Sequence, residues 1–327
     1  MKKLLSLLLV LLLLIGCSNN NEPKPTEEDN ETETTQPDPE PTPTTSEVID
    51  VYTRDSASGT REAFESGVGL EKGALTQEAV ETSGNGDMAQ KVGSDAKAIG
   101  YVSLTTDFEA NNLKPVNFDG VEPTIENVLS HDYTLSRPFS FVTRASDDYE
   151  DDTVRDVVHS FLDFIHNSNE GLDAVEAKGG IVDKSDAKPW SELAANHPVL
   201  DEDVSSVTIR TAGSTSVEAT LSSALEAFQA ETGVQFVMNH TGSSDGFKRV
   251  LGDEKDTANA ADIGFASRPF KTDGSEDVDA SMESGYYCLD AVVVVVSKDN
   301  TIAPSSLTAE QVVSIFDGSV KNWEDIK

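Results

Sequence analysis

The sequence is short of cysteine, aromatic residues and basic residues, and these shortages limit the classes of protein it can belong to. Cys17 and Cys288 are the two cysteines among 327 residues, too few for a disulfide framework. Lysine and arginine number 24 against 59 aspartate and glutamate residues, which gives a formal net charge of -35. This charge argues against binding to nucleic acid or to anionic lipid, so we expect no nucleic-acid partner. Hydrophobic residues still make up 37% of the chain, enough for the cores of about two domains.

Long apolar runs are also scarce, and the longest lies at the N-terminus. Residues 4–15 follow Met1-Lys-Lys3 and are too few to span a membrane, but they have the layout of an export signal. We interpret residues 1–16 as a lipoprotein signal peptide, because Leu14-Ile-Gly-Cys17 resembles the lipobox of bacterial lipoproteins. That resemblance implies lipid on Cys17 and an extracellular protein anchored to the cell membrane.

Residues 17–47 are predicted to form a disordered tether between this anchor and the folded part of the chain. They are mainly Asn, Glu, Thr and Pro. A segment with so few apolar residues cannot offset the entropy that it would lose on ordering. Globular sequence therefore begins at Val48.

After Val48, three predicted strands each lead into a helix through a turn rich in hydroxyl groups. The turns are Ser56-Ala-Ser-Gly-Thr-Arg61, Thr211-Ala-Gly-Ser-Thr-Ser216 and Thr241-Gly-Ser-Ser-Asp-Gly246. The first N–H groups of a helix lack intrahelical partners, and hydroxyls beside them are further donors, so such turns can hold an oxyanion. Taken alone, Ser214 to Ser216 would be an ordinary capped helix start. The recurrence of the turn predicts one shared anionic ligand.

The alternation of short strands with helices predicts a mainly parallel α/β architecture. Residues 291–296 are apolar throughout and predict a central strand buried on both faces. Residues 183–206 are polar and contain two prolines, which favours a connection across the surface. His159 and His166 lack partners at a zinc spacing, so we expect neither a metal site nor a cofactor.

Several short segments form a specific combination when they are taken together. They are Arg54 with Ser58-Gly-Thr-Arg61, Ala98-Ile-Gly-Tyr-Val102, Leu135-Ser-Arg-Pro138, Thr211-Ala-Gly-Ser-Thr-Ser216, Gly242-Ser-Ser-Asp-Gly246, Ala261-Asp-Ile-Gly-Phe-Ala-Ser-Arg268, and Asn322-Trp323. The combination resembles the phosphate-binding lipoproteins of phosphate-specific ABC importers, over residues 48–327. It implies a type II periplasmic-binding-protein-like clamp of two α/β lobes joined by a hinge. Its implied partners are inorganic phosphate and the permease subunits of the importer, and we expect a monomer without catalytic activity.

The order of the segments differs from the order that this family implies. There the Gly-Ser-Thr-Ser segment comes first, whereas here Ser58-Gly-Thr-Arg61 precedes it. We interpret this order as a circular permutation. One lobe, the composite lobe, would then consist of residues 48–135 plus 298–327, and the other, the continuous lobe, of residues 136–297. The alternative is a truncated member of a tandem array.

The resemblance assigns phosphate ligands to both lobes. The continuous lobe would contribute Ser214, Thr215, Ser216, Ser243 and Arg268, and the composite lobe Arg54, Ser58, Gly59, Thr60 and Arg61. Hydroxyls and backbone N–H groups would share the charge, while an arginine can hold two oxygens at once. Phosphate carries a proton at neutral pH, so preference for it over sulfate needs a hydrogen-bond acceptor. Asp245 and Asp55 are the candidates.

Three other functions remain as alternatives or are disfavoured by the sequence. The ligand could be sulfate or molybdate, or the fold could serve sensing or adhesion at the cell surface. A hydrolase is disfavoured, although Gly242-Ser-Ser-Asp-Gly246 matches the G-x-S-x-G nucleophile motif. That arrangement needs a histidine after the serine, and all 5 histidines precede Ser244.

Overall fold

The computed structural model describes residues 47–149 and 151–326. The predicted signal peptide, Cys17 and most of the predicted tether lie outside these residues. Within them, no helix combines the length and the apolarity needed to cross a bilayer. The strands are β1 (Asp50–Arg54), β2 (Val80–Thr82), β3 (Ala98–Ser103), β4 (Leu113–Pro115), β5 (Asn117–Phe118), β6 (Ser136–Ala145), β7 (Thr208–Gly213), β8 (Gln235–His240), β9 (Ile263–Ala266), β10 (Met282–Ser297) and β11 (Ser306–Leu307). The α-helices are α1 (Gly59–Val68), α2 (Asn85–Ser94), α3 (Ile125–Leu129), α4 (Asp152–Asn167), α5 (Asn169–Glu176), α6 (Trp190–Leu193), α7 (Glu218–Thr232), α8 (Ser243–Val250) and α9 (Ala309–Phe316).

One mixed sheet runs through the described part of the chain, in the order β2-β1-β3-β10-β6-β9-β7-β8, with β4 also paired to β10. At its two ends the pairing is parallel, β1 with β2 and β3, and β7 with β8 and β9. In the middle, β10 is antiparallel to β3 and β6, and β6 is antiparallel to β9. The prediction of a mainly parallel sheet is therefore wrong for its centre, where the two long strands β6 and β10 run in opposite directions.

Two hydrophobic cores divide the molecule into lobes. In the composite lobe, the ring of Phe64 stacks on Tyr101 with centroids 4.0 Å apart and meets Phe316 at 4.7 Å. In the continuous lobe, Phe164 packs edge-on to Trp190 at 5.1 Å. The two lobes therefore have separate aromatic clusters in their cores, as a two-lobed clamp requires.

Strand β10 belongs to both lobes. Its residues Tyr287 and Cys288 are buried in the core of the continuous lobe, whereas residues 291–296 are buried in the core of the composite lobe. The prediction of a buried central strand at 291–296 is confirmed. The cores change at Asp290, inside the range that the sequence assigned to the continuous lobe.

The two ends of the described chain meet in the composite lobe. Ile49 N donates to Lys321 O at 2.8 Å, and Trp323 N donates to Glu47 O at 3.1 Å. Strand β11 pairs with β5 in parallel, so residues 306–307 complete a small second sheet with residues 117–118. The segment after β10 thus packs with residues from the start of the globular sequence.

Two local predictions differ from the structure. Helix α7 begins at Glu218, and its N-cap Val217 makes no side-chain capping bond, so the predicted capped start at Ser214 to Ser216 is wrong. The hydroxyls of this turn bond elsewhere, as described below. Residues 183–206 are also more than a surface connection, since Trp190 of α6 is buried in the core of the continuous lobe.

Candidate functional site

A group of buried hydroxyls lies where the two lobes meet. We call Thr60, Ser214, Ser216, Ser243 and Ser267 the hydroxyl cluster; all five are buried. Thr60 Oγ1 lies 2.7 Å from Ser216 Oγ, and Ser214 Oγ donates to Ser267 Oγ at 2.9 Å. Ser243 Oγ accepts from Ser267 N at 3.1 Å and lies 3.3 Å from Ser267 Oγ. The three turns predicted to share one ligand do converge on one place.

Two glycines allow this convergence because a side chain at either would block it. A Cβ atom at Gly59, the first residue of α1, would lie 2.2 Å from Ser243 Oγ. Gly213 ends β7 with a φ of 130°, and a Cβ there would lie 1.9 Å from the carbonyl oxygen of Phe265. The N-termini of α1 and α8 therefore lie against each other at the lobe boundary, where their positive dipole ends favour an anion.

Arg54, at the end of β1, brings a buried positive charge to the same place. The residue is 1% exposed, and its Nη2 donates to Thr215 Oγ1 at 3.1 Å. The nearest carboxylate oxygen, Oδ2 of Asp55, is 3.8 Å from Nη2, and Nε has no hydrogen-bond partner. Burial lowers the pKa of the Arg54 guanidinium, because the charged form is held away from water with little compensation. An anion beside the hydroxyl cluster would supply that compensation.

Two residues that sequence reasoning missed also belong to this place. Asn85 begins α2, and its backbone N–H donates to Thr215 Oγ1 at 3.1 Å. The sequence does contain a pattern that could have identified Asn85, because Thr82-Ser-Gly-Asn-Gly86 is a fourth turn rich in hydroxyl groups and glycine. The strand before this turn has only three residues, which makes the strand-turn-helix pattern hard to recognise. Ser267 was missed although it lies beside the predicted ligand Arg268.

Arg61 and Arg268, two of the predicted ligands, are engaged elsewhere. Arg61 lies 2.7 Å from Glu65 through Nε and donates to Arg54 O at 2.9 Å through Nη1. Arg268 forms a bidentate pair with Glu276, with distances of 2.8 Å and 2.7 Å. Arg61 thus stabilises the main chain at Arg54, and the charge of Arg268 is neutralised by the carboxylate of Glu276.

The remaining predicted residues have local roles that the structure shows directly. Ser58 caps α1 by accepting from Arg61 N at 3.2 Å. Asp55 Oδ1 accepts from Ala57 N at 2.8 Å, which leaves Oδ2 toward Arg54. Asp245 accepts from Thr241 Oγ1 in the first turn of α8. Each candidate proton acceptor lies 3.8 Å from a buried arginine, Asp55 from Arg54 and Asp245 from Arg249, and Asp55 is the one beside the arginine that contacts Thr215.

His240, at the end of β8, supports the turn that carries Ser214. Its Nδ1 lies 2.9 Å from Ser214 O and must donate there, so Nε2 accepts from Thr211 Oγ1 at 3.0 Å. Burial lowers the pKa of His240 to about 4, and the ring is therefore neutral at physiological pH.

This buried imidazole predicts a pH dependence of stability. In the unfolded chain His240 has its ordinary pKa of 6.5, so between pH 6.5 and about 4 the unfolded state binds the extra proton. Stability from this residue is complete above pH 6.5 and falls by about 3 kcal/mol as the pH approaches 4. Urea unfolding of the protein and of His240→Gln at pH 7 and pH 4.5 measures it. Equal losses in the two proteins would contradict the prediction.

Residues 195–327 match the family model of a PBP superfamily domain. The phosphate-binding protein PstS 2 of Streptococcus agalactiae serotype V is 29% identical over 288 residues, covering 85% of this chain and 87% of that protein. The protein of the same name from Streptococcus pneumoniae serotype 4 is 29% identical over 290 residues, covering 86% and 89%.

A solved structure is similar as well. The crystal structure of a phosphate ABC transporter phosphate-binding protein from Streptococcus pneumoniae TIGR4 has a TM-score of 0.60 and 28% identity, covering 86% of this chain and 100% of that one. The chain is thus similar in sequence and in its α/β fold to phosphate-binding proteins of ABC transporters, and its C-terminal part matches a PBP superfamily domain.

Proposed function

We propose that this protein captures inorganic phosphate between its two lobes and delivers it to the permease of an ABC importer. The observation that carries the proposal is the buried Arg54 beside the hydroxyl cluster at the lobe boundary. A cation with one unpaired donor, five hydroxyls and two facing helix N-termini form a set of donors for a tetrahedral oxyanion. The printed names of the streptococcal relatives support phosphate as that anion.

The chemistry of the cluster also bears on the choice of anion. Hydroxyls can accept as well as donate, and Asp55 Oδ2 faces the same arginine. A protonated oxyanion such as phosphate can therefore donate a hydrogen bond to one of these acceptors. Sulfate carries no proton at neutral pH and cannot donate one. We propose Arg54, Gly59, Thr60, Ser214, Thr215, Ser216 and Ser243 as contacts, with Ser58 holding α1 in place and Asp55 as the acceptor.

Titration calorimetry with phosphate and then sulfate tests this function. We expect saturable binding of phosphate and much weaker binding of sulfate. Tighter binding of sulfate or molybdate would make the protein a receptor for another oxyanion. Binding of none of these anions would favour the sensing or adhesion alternative.

We further propose that the domain is a permuted, complete clamp and functions as a monomer. Support comes from the composite lobe, where residues 306–323 and residues 49–135 of the same chain share one core. When one chain supplies both segments of the composite lobe, it does not need to exchange a segment with a second copy of the protein, and a monomer can fold alone. Sedimentation showing an obligate dimer would contradict the monomer, and a phosphate-binding dimer with exchanged lobes would favour the truncated-array alternative.

Lipid anchoring through Cys17 remains a proposal that rests on the sequence. We expect Cys17→Ser to abolish lipidation, because the acyl group needs the thiol, and to leave the protein unprocessed or released from the membrane. Fractionation with mass spectrometry of the mature N-terminus measures this, with Cys288→Ser as the control. Cys288 is buried, and burial raises the pKa of its thiol far above the usual value, so it is unsuited to modification. A mature N-terminus without lipid would contradict the proposal.

A further inference from the structure

An ion cluster crosses the lobe boundary beside the hydroxyl cluster. Glu62 lies in the first turn of α1, in the composite lobe. Its Oε2 is 2.9 Å from Arg268 Nε and 3.3 Å from Lys271 Nζ, both of which belong to the continuous lobe. We call Glu62, Arg268, Lys271 and Glu276 the interlobe ion cluster. One carboxylate of one lobe thus meets two cations of the other.

The continuous-lobe side of this cluster is fixed in place. Arg268 is 4% exposed, and its bidentate pair with Glu276 holds the guanidinium in one orientation. Glu276 also accepts from Lys271 N at 2.7 Å, which folds the following loop back onto Arg268. The Arg268 guanidinium is therefore held in position before Glu62 reaches it, so little ordering of this arginine is needed when the lobes meet.

Charge balance separates this cluster from the anion contacts. Arg268 and Lys271 carry two positive charges, and Glu62 and Glu276 carry two negative ones. A balanced cluster attracts an incoming anion no more than it repels one. Arg268 therefore does not repeat the role of Arg54, whose carboxylate neighbour Asp55 is farther away, at 3.8 Å, and makes no bidentate pair.

We propose that Glu62 is a latch: its contact with Arg268 and Lys271 stabilises the closed clamp and slows the release of ligand. The proposal rests on the proposed function. Separating the lobes breaks this contact and returns Glu62, whose side chain is 48% exposed, to water. An interaction present in the closed state alone shifts the population toward closure and lowers the dissociation rate constant. The association rate constant changes little, because the contact forms after the ligand has arrived.

The expected size of the effect is moderate. Glu62 and Lys271 are partly exposed, so salt screens their attraction, whereas Arg268 is buried. We expect Glu62→Gln to raise the phosphate dissociation rate constant about three- to tenfold at low salt, and by less in 1 M salt. Lys271→Gln should raise it less, and the double variant should resemble Glu62→Gln, because both substitutions break one shared contact.

A matched control is available in the same lobe. Glu310 is an exposed first-turn glutamate of α9, so Glu310→Gln removes the same charge from the same kind of helix position. We expect its phosphate dissociation rate to equal that of the unmodified protein. A rise equal to that of Glu62→Gln would assign the effect to helix charge and overturn the latch.

The experiment combines stopped-flow phosphate kinetics with small-angle scattering of the ligand-free protein. If Glu62→Gln and Lys271→Gln bind phosphate with the same dissociation rate constant as the unmodified protein, the latch is overturned and the proposed function stands. No phosphate binding by the unmodified protein would overturn the proposed function, and scattering would then test the latch alone. We expect Glu62→Gln to increase the ligand-free radius of gyration through a larger open population, and an unchanged radius there would overturn it.

Discussion

Replacing Arg54 with alanine lowers the phosphate affinity about 10- to 150-fold, because one charged donor to a buried anion is lost. The guanidinium is the buried cation that no nearby carboxylate fully compensates, and it reaches Thr215 in the facing lobe. Arg54→Lys keeps the charge but loses the planar group with several donors, so we expect an intermediate affinity. Titration calorimetry at constant pH and salt measures all three proteins.

One control separates this effect from general damage, and one further variant separates it from an effect on lobe closure. Arg155→Ala, on α4 in the other lobe, removes a partly exposed arginine and should leave phosphate affinity unchanged. Arg268→Ala should lower affinity through lobe closure and loss of the buried Glu276 partner, with a faster dissociation rate. Unchanged affinity in Arg54→Ala would place the anion elsewhere and refute the site.

Replacing Asp290 with asparagine lowers the free energy of unfolding by about 3–5 kcal/mol, because it leaves a buried arginine without its counter-ion. Arg137 Nε and Nη2 donate to Asp290 Oδ2 at 2.9 Å and 2.8 Å, and both residues are buried. The other carboxylate oxygen accepts from Ser103 Oγ at 2.9 Å and Leu104 N at 3.1 Å. Asp290 therefore ties β10 to β6 and to the end of β3.

Urea unfolding monitored by tryptophan fluorescence measures this loss. Glu78→Gln is the control, since Glu78 pairs with Lys321 at the surface and should change stability by less than about 1 kcal/mol. The double variant Arg137→Met with Asp290→Leu should recover part of the loss, because no unpaired charge is then buried. A loss in Asp290→Asn no larger than that in Glu78→Gln would show that the pair is dispensable.

The parts of the site that the sequence predicted are those encoded locally. Ser58, Thr60, Ser214 and Ser216 each follow a strand within a few residues, so the strand-turn-helix pattern was enough to bring them to one edge. Asn85 was not predicted as part of the site because the strand before it, β2, has only three residues, too few for a recognisable period. Local patterns predict turns well when the preceding strand is long enough to be recognised.

What the sequence could not predict depends on pairing between distant residues. Arg268 has the residue type of an anion ligand and forms ion pairs with Glu276 and Glu62, and neither pairing can be derived from spacing alone. Ser214 and Ser216 have the residue types of a helix cap, but their hydroxyls bond to Ser267 and Thr60 instead. The antiparallel sheet centre likewise depends on how two distant strands pair.

The pairing of β6 with β10 also determines the mechanics of the clamp. The two strands exchange backbone hydrogen bonds from Met282 to Ala291, with register shifts between Met282 and Ser284 and between Tyr286 and Cys288. Paired strands twist more easily than they slide, because sliding would break every hydrogen bond at once. We therefore expect opening of the clamp to twist β10 where it passes from one core to the other, between Cys288 and Ala291, so that substitutions there change phosphate release without touching the hydroxyl cluster.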